Sequence, residues 1–215
     1  MPRTDHRPLF GLIGYPIGHS QSPALFAEFC GDKWGYDLIE EASFEAAWSR
    51  FLDGPYRAVN VTAPFKTQAA SRADLKSPAV ESIGAANILV KTPEGIEAYN
   101  SDYLAVKELL TGAGALSVTV IGLGGAGRAA VAAAEELGLP VRGLHHDEIG
   151  EGAADDVIVY TLPSPAPGYD RLACRTLIEA NYKDPCLTGH DGYVPGLEWL
   201  RAQARLGYGI MTKQL

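Results

Sequence analysis

Val118-Thr119-Val120-Ile121-Gly122-Leu123-Gly124-Gly125-Ala126-Gly127 passes without a break from four β-favouring residues into a glycine cluster. An alanine-rich stretch, 128–137, follows and stops at Gly138. Strand, glycine turn and helix in immediate succession form the opening of a dinucleotide-binding unit. The glycines permit a tight turn and close approach to a pyrophosphate, and the helix start supplies free N–H groups and positive partial charge. The competing reading is a tight strand-to-helix turn with no ligand.

Toward the C-terminus, 141–144, 157–160 and 176–180 read as further strands, and 197–206 as a helix closed by Gly207. Alternating strands and helices predict an α/β fold with a largely parallel sheet. Asp147 lies about 20 residues past the last glycine, where an acidic side chain can bond a ribose 2′-hydroxyl. A solvated turn carboxylate is the alternative. Residues 148–156 number only nine, with two glycines and no apolar stripe. A helical crossover needs about 10–12 residues or more, so the helix usual at this point is expected to be missing.

Toward the N-terminus, the small, glycine-containing stretch 111–117 reads as a boundary. Before it, strands are expected at 9–13, 36–39 and 58–62, and a hairpin at 86–91 and 95–99. Helices are expected at 23–30, 44–51 (capped by Ser43), 67–73 and 102–110. With 24 glycines and 14 prolines the chain is turn-rich, yet 47% of it is hydrophobic, which excludes a disordered polymer. The net charge of −8 is spread along the chain without a run of Lys or Arg, which argues against nucleic acid as a partner. Cys30, Cys174 and Cys186 show no metal-ligand spacing and point to reduced thiols and a cytoplasmic setting. The glycine-interrupted N-terminus makes a poor signal peptide, and no apolar run approaches about 18 residues, so no membrane span is expected.

Polar groups cluster after the apolar strands of the first half, in Gly18-His19-Ser20-Gln21-Ser22-Pro23, Asn60-Val61-Thr62-Ala63-Pro64-Phe65-Lys66, Gly84-Ala85-Ala86-Asn87 and Asn100-Ser101-Asp102. Two hydroxyls can bond a carboxylate, and Asn and Asp can bond ring hydroxyls. A Lys beside a carbonyl can stabilise an oxyanion and deliver a proton. Taken singly, each residue also has a plain reading: Ser22 as a helix cap, Lys66 as a solvated lysine, Asp102 as a cap.

In this order the motifs resemble the shikimate dehydrogenase family. His19-Ser20-Gln21-Ser22-Pro23 is similar to its Ser-x-Ser-Pro loop, and Asn60-Val61-Thr62-x-Pro64-x-Lys66 to its Asn-Val-Thr-x-Pro-x-Lys motif. Asn87, Asn100-Ser101-Asp102 and Gly122-x-Gly124-Gly125-Ala126 match further family motifs, and the likeness covers about 9–130. The resemblance implies an N-terminal α/β substrate domain over 1–110 and a reduced Rossmann-like nucleotide domain over 111–199, with 200–215 packing back on the first. It implies NADP-dependent reduction of 3-dehydroshikimate to shikimate in aromatic amino-acid biosynthesis, with Lys66 and Asp102 as the catalytic pair. Ser20, Ser22, Thr62, Asn87, Asp102, Tyr182 and Gln214 would bind substrate; Gly122, Gly124, Gly125, Ala126 and Asp147 would face the cofactor. No metal is implied, and a monomer or homodimer is expected.

The match thins after residue 130. Where the family has Asn-Arg-Thr, with Arg for the NADP 2′-phosphate, this chain has His145-His146-Asp147. NAD therefore stands as an alternative cofactor, with dinucleotide affinity weakened or lost. A shikimate-class binding or sensor protein is the competing functional reading; quinate and aminoshikimate are alternative substrates.

Overall fold

The structure is a computed structural model that describes residues 9–150, 152–163 and 165–213. The chain divides into two compact units, Met1–Ser101 with Ala204–Leu215, and Asp102–Gln203.

The first unit opens with β1 (Leu9–Gly14), α1 (Ser22–Cys30), β2 (Gly35–Glu40), α2 (Phe44–Asp53) and β3 (Tyr56–Val61). It continues with α3 (Lys66–Arg72), β4 (Leu75–Lys76), α4 (Pro78–Ile83), β5 (Ile88–Thr92) and β6 (Gly95–Tyr99). The strands form one sheet in the order β2-β1-β3-β5-β6-β4. β1 pairs parallel with β2 and β3, whereas β5 lies antiparallel to both β3 and β6. Ser43 caps α2 as expected, its Oγ accepting the Ala46 N–H at 3.3 Å. Such a cap contributes about 1 kcal/mol. The helix then buries Phe44, Ala47, Trp48 and Phe51, one face at helical spacing, against the β1–β3 side of the sheet.

The second unit starts at the head of α5 (Ser101–Gly112). It proceeds through β7 (Val118–Ile121), α6 (Gly125–Glu136), β8 (Val141–Leu144), β9 (Ala154–Tyr160), β10 (Ala173–Glu179) and β11 (Tyr193–Val194). The sheet order is β11-β10-β9-β7-β8, with every pair parallel. β7 thus has β8 on one side and β9 on the other. Ligands of open α/β sheets bind beyond the strand carboxyl ends at such a switch point.

Among the described residues the crossover from β8 to β9 carries no helix, as expected from the short spacing at 148–156, although β9 starts earlier, at Ala154; the described part of 161–172 carries only a short 3-10 turn. Loop side chains do the covering instead. Ile149, Ala153, Ala166 and Leu187 pack on Ile121, Ile158, Tyr160 and Leu177, which the strand pairings place on one face of the sheet. Ala166 N–H donates to the Tyr160 hydroxyl at 3.0 Å and pins one of these loops. The other face buries Val118, Val120, Val157 and Val159, and α6 contributes Ala129, Ala130, Ala133 and Ala134 to the core.

The final helix, α7 (Gly196–Thr212), does not stop at Gly207. A Cβ there would lie 3.1 Å from both Ile88 Cδ1 and Ser101 Oγ, so this glycine allows close packing rather than ending the helix. Among the described residues no helix is long and apolar enough to cross a membrane.

Candidate active site

Lys66 stands at the start of α3, just after the cis Ala63–Pro64 peptide. Its carbonyl accepts the Ala86 N–H at 2.9 Å. The next residue, Asn87, is tied on every side. Its N–H donates to Tyr99 O at 3.0 Å, its carbonyl accepts from Val61 N at 2.8 Å, and its Oδ1 accepts from Ser101 N at 2.7 Å. Its Nδ2 donates to Ser101 Oγ at 3.0 Å. Asn100 Nδ2 in turn donates to Ala85 O at 2.9 Å. A backbone bond therefore joins Lys66 to the 85–87 turn, and the Asn87 side chain carries the path on to Ser101, the residue preceding Asp102. Asp102 itself is buried in the first turn of α5. Thr62 follows β3 and donates its N–H to Ile13 O at 2.9 Å, so it sits beside the end of β1.

Ser20 and Ser22 occupy the entry to α1. Ser20 Oγ accepts the Ser22 N–H at 3.2 Å and lies 3.1 Å from Ser22 Oγ. Both serines are half-buried. Tyr36, which no sequence motif marks, donates its hydroxyl to Asn60 Oδ1 at 2.8 Å.

In the second unit the glycines divide into two kinds. Gly122 adopts φ 89°, and a Cβ on Gly127 would lie 1.8 Å from Gly122 O. Chain geometry alone demands these two. A methyl group on Gly124 or Gly125 would meet nothing within 4 Å, and neither residue has a positive φ. Gly124 caps α6 without a side chain, leaving the helix N–H groups open. Their glycine character suits a group that approaches from outside, a pyrophosphate being the natural one. Ala126 lies in the same first turn. Thr161 Oγ1 braces the turn by donating to Gly122 O at 2.7 Å.

The ribose end is different. After β8 the chain makes a tight turn in which His145 N–H donates to Glu148 Oε2 at 2.6 Å, and Asp147 is exposed. Residues 145–148 hold no Lys or Arg. Arg171, whose guanidinium bonds Gly150 O at 3.1 Å, precedes β10, whose first residue pairs with the first of β9. It thus belongs to the end of the sheet opposite Asp147. The glycine turn suits a dinucleotide's pyrophosphate and Asp147 a ribose hydroxyl, while the 145–148 turn itself carries no guanidinium for a 2′-phosphate.

Tyr182 follows β10 in a turn organised by Asn181. Asn181 Nδ2 donates to Asp184 O at 2.7 Å and to Pro163 O at 3.1 Å. Gln214 lies outside the described residues. Gln203 escapes the sequence motifs: it sits one turn before Gly207 on the same face of α7, the face that meets Ser101 at Gly207. The spacing of Trp199, Gln203 and Gly207 is the available signal, and reading Gly207 as a helix stop hides it.

An α/β unit with polar groups after its strands, joined to a parallel α/β unit with a glycine turn at its switch point, is an architecture suited to a dinucleotide-dependent oxidoreductase. The family profile described as shikimate dehydrogenase substrate binding domain matches residues 12–89. A shikimate dehydrogenase (NADP(+)) of Anaeromyxobacter dehalogenans is 32% identical over 95% of this chain and 79% of its own length. A second, from Halobacterium salinarum, is 39% identical over 62% of this chain and 53% of its own. The crystal structure of shikimate 5-dehydrogenase from Thermus thermophilus with NADP(H) and shikimate superposes with a TM-score of 0.75 at 25% identity, covering 96% of this chain and 94% of that one. That of Mycobacterium tuberculosis shikimate dehydrogenase gives 0.73 at 27%, with the same coverage. The chain belongs to the shikimate dehydrogenase family.

Proposed function

We propose that the protein reduces 3-dehydroshikimate to shikimate with a reduced nicotinamide dinucleotide. The observation that carries this reading is the bonded path from Lys66 through the 85–87 turn to Ser101, which ties the lysine's backbone to the residue next to Asp102. The cofactor supplies a hydride to the substrate's carbonyl carbon. The Lys66 ammonium stabilises the negative charge developing on the carbonyl oxygen and passes it a proton. Asp102 orients that ammonium and bonds a ring hydroxyl. Asn87, beside it, serves the same group of hydroxyls. Ser20 and Ser22, with Thr62, hold the substrate carboxylate. Tyr182 is a candidate for a further ring contact.

A protein that merely bound shikimate would need neither a proton donor nor its carboxylate partner, and this chain keeps both. The decisive experiment combines titration calorimetry with shikimate and a spectrophotometric assay of shikimate oxidation with NADP and with NAD. Binding together with turnover supports the reading; binding without turnover on either nucleotide overturns it in favour of a sensor.

A further inference from the structure

We propose that Tyr208 is a positioning residue for the substrate carboxylate, acting through the backbone of Ser22. This rests on the reading of Ser20 and Ser22 given above. Tyr208 lies on α7, 186 positions along the chain from Ser22, and donates its hydroxyl to Ser22 O at 3.0 Å. Ser22 precedes Pro23, which has no N–H, so the peptide joining them can be held only through its carbonyl. A carbonyl has two lone pairs, and beside its helix bond one remains for Tyr208. The Gln21 side chain makes no cap bond at the α1 entry, which leaves only its carbonyl, accepting from Leu25 N–H at 3.0 Å.

The tyrosine is placed to carry this load. It is 3% exposed and packs edge-on to Phe26 at 5.0 Å and to Tyr36 at 6.1 Å. Phe26 also lies 4.7 Å from Tyr36, so the three rings lock together beneath the serine loop. Burial pushes the Tyr208 phenol well up, which keeps it a donor throughout the working range of pH. At the other end of the loop, Glu40 accepts the Ile17 N–H at 3.2 Å, and Ser20 N–H donates to Ile17 O at 2.9 Å. With both ends fixed, the two serine hydroxyls are presented as one preformed site, and ligand binding need not order them.

The test is Tyr208→Phe, which removes the hydroxyl and keeps the ring. Shikimate Kd by titration calorimetry should rise about five- to tenfold, the effect of one lost buried hydrogen bond. Methyl shikimate, whose ester lacks the negative charge the serines hold, should bind the variant and the wild type within about twofold of each other. Tyr56→Phe removes another hydroxyl, the one donating to Asp37 at 3.1 Å, and should lower thermal stability without changing shikimate Kd. Shikimate binding by Tyr208→Phe within about twofold of wild type overturns the proposal. So does an equal loss for acid and ester, which marks a merely structural role. Failure of the wild-type chain to bind shikimate overturns the underlying functional reading as well, and is told apart by appearing before any substitution is made.

Discussion

Asn87 grips Ser101 at two points, its Oδ1 accepting the Ser101 amide at 2.7 Å and its Nδ2 donating to the Ser101 hydroxyl at 3.0 Å. Both residues are buried, so neither has water as an easy substitute partner. Asn87→Ala leaves the Ser101 N–H and hydroxyl without this partner inside the protein. The expected loss is about 2–4 kcal/mol of stability, measured by urea denaturation. Turnover should fall too, because Ser101 sets the start of α5 and with it Asp102. A variant as stable as wild type would show that the clasp is replaceable.

Lys66→Ala should separate chemistry from binding. The proton donor is lost, and turnover should drop by about 10²–10⁴-fold or below detection. Shikimate affinity should stay within about threefold, since the serine loop and the 85–87 turn keep their own bonds. Unchanged turnover would remove the lysine from the mechanism.

The glycine turn offers a test of which residues serve the fold and which serve the ligand. Gly127→Ala forces a methyl against Gly122 O, where only 1.8 Å is available, and should destabilise the second unit severely. Gly124→Ala and Gly125→Ala meet open space and should fold with nearly wild-type melting behaviour. If a pyrophosphate approaches these two positions, both variants should lose nucleotide affinity while keeping shikimate binding.

The glycine turn and the serine loop are legible in the sequence because their geometry is local. Ser43, Pro23 and Gly122 carry their instructions within four residues, and α2 shows a full apolar stripe. α4 escapes notice because six residues, opened by Pro78, span too few turns to show a period. β4 and β11, two residues each, are defined by their pairing with β6 and β10 and not by composition. Gly207 misleads for a related reason. Its neighbours are Ile88 and Ser101, more than a hundred positions away, and nothing adjacent in sequence announces them. Length alone predicts that no helix joins β8 to β9, and none is seen among the described residues, but not the covering by Ile149 and Ala153, since isolated apolar residues in a loop carry no period. Tyr208 and Gln203 belong to the same class: their partners or faces appear only when α7 is placed.

Asp147 sets the expected order of cofactor affinities. An exposed carboxylate after β8, with no guanidinium in the 145–148 turn, can bond a ribose hydroxyl but repels a 2′-phosphate. NADP should therefore bind weakly, with NAD at least as tight, in titrations at low salt. Asp147→Arg should raise NADP affinity by about tenfold or more and leave NAD unimproved. Tight NADP binding to the wild type would show that the phosphate finds a cation elsewhere.

Alkaline stability should report on the loop that follows β10. Glu179, fully buried at the end of that strand, accepts the Cys186 N–H at 2.8 Å and the Tyr193 hydroxyl at 2.8 Å, with the Cys186 thiol 3.4 Å away. Burial first, and the bond to Glu179 second, push the Cys186 thiol from 9.0 up to about 11. The folded protein thus holds this proton where an unfolded chain has released it. The group's contribution is complete below the unfolded value and drains away as pH rises toward the folded one. Between pH 9.0 and about 11 the stability of the wild type should therefore decline. Cys186→Ala removes the titrating thiol but keeps the backbone bond to Glu179, so its decline over that interval should be shallower. Chemical denaturation at a series of pH values measures both slopes, and identical slopes would show that Cys186 does not titrate differently in the two states.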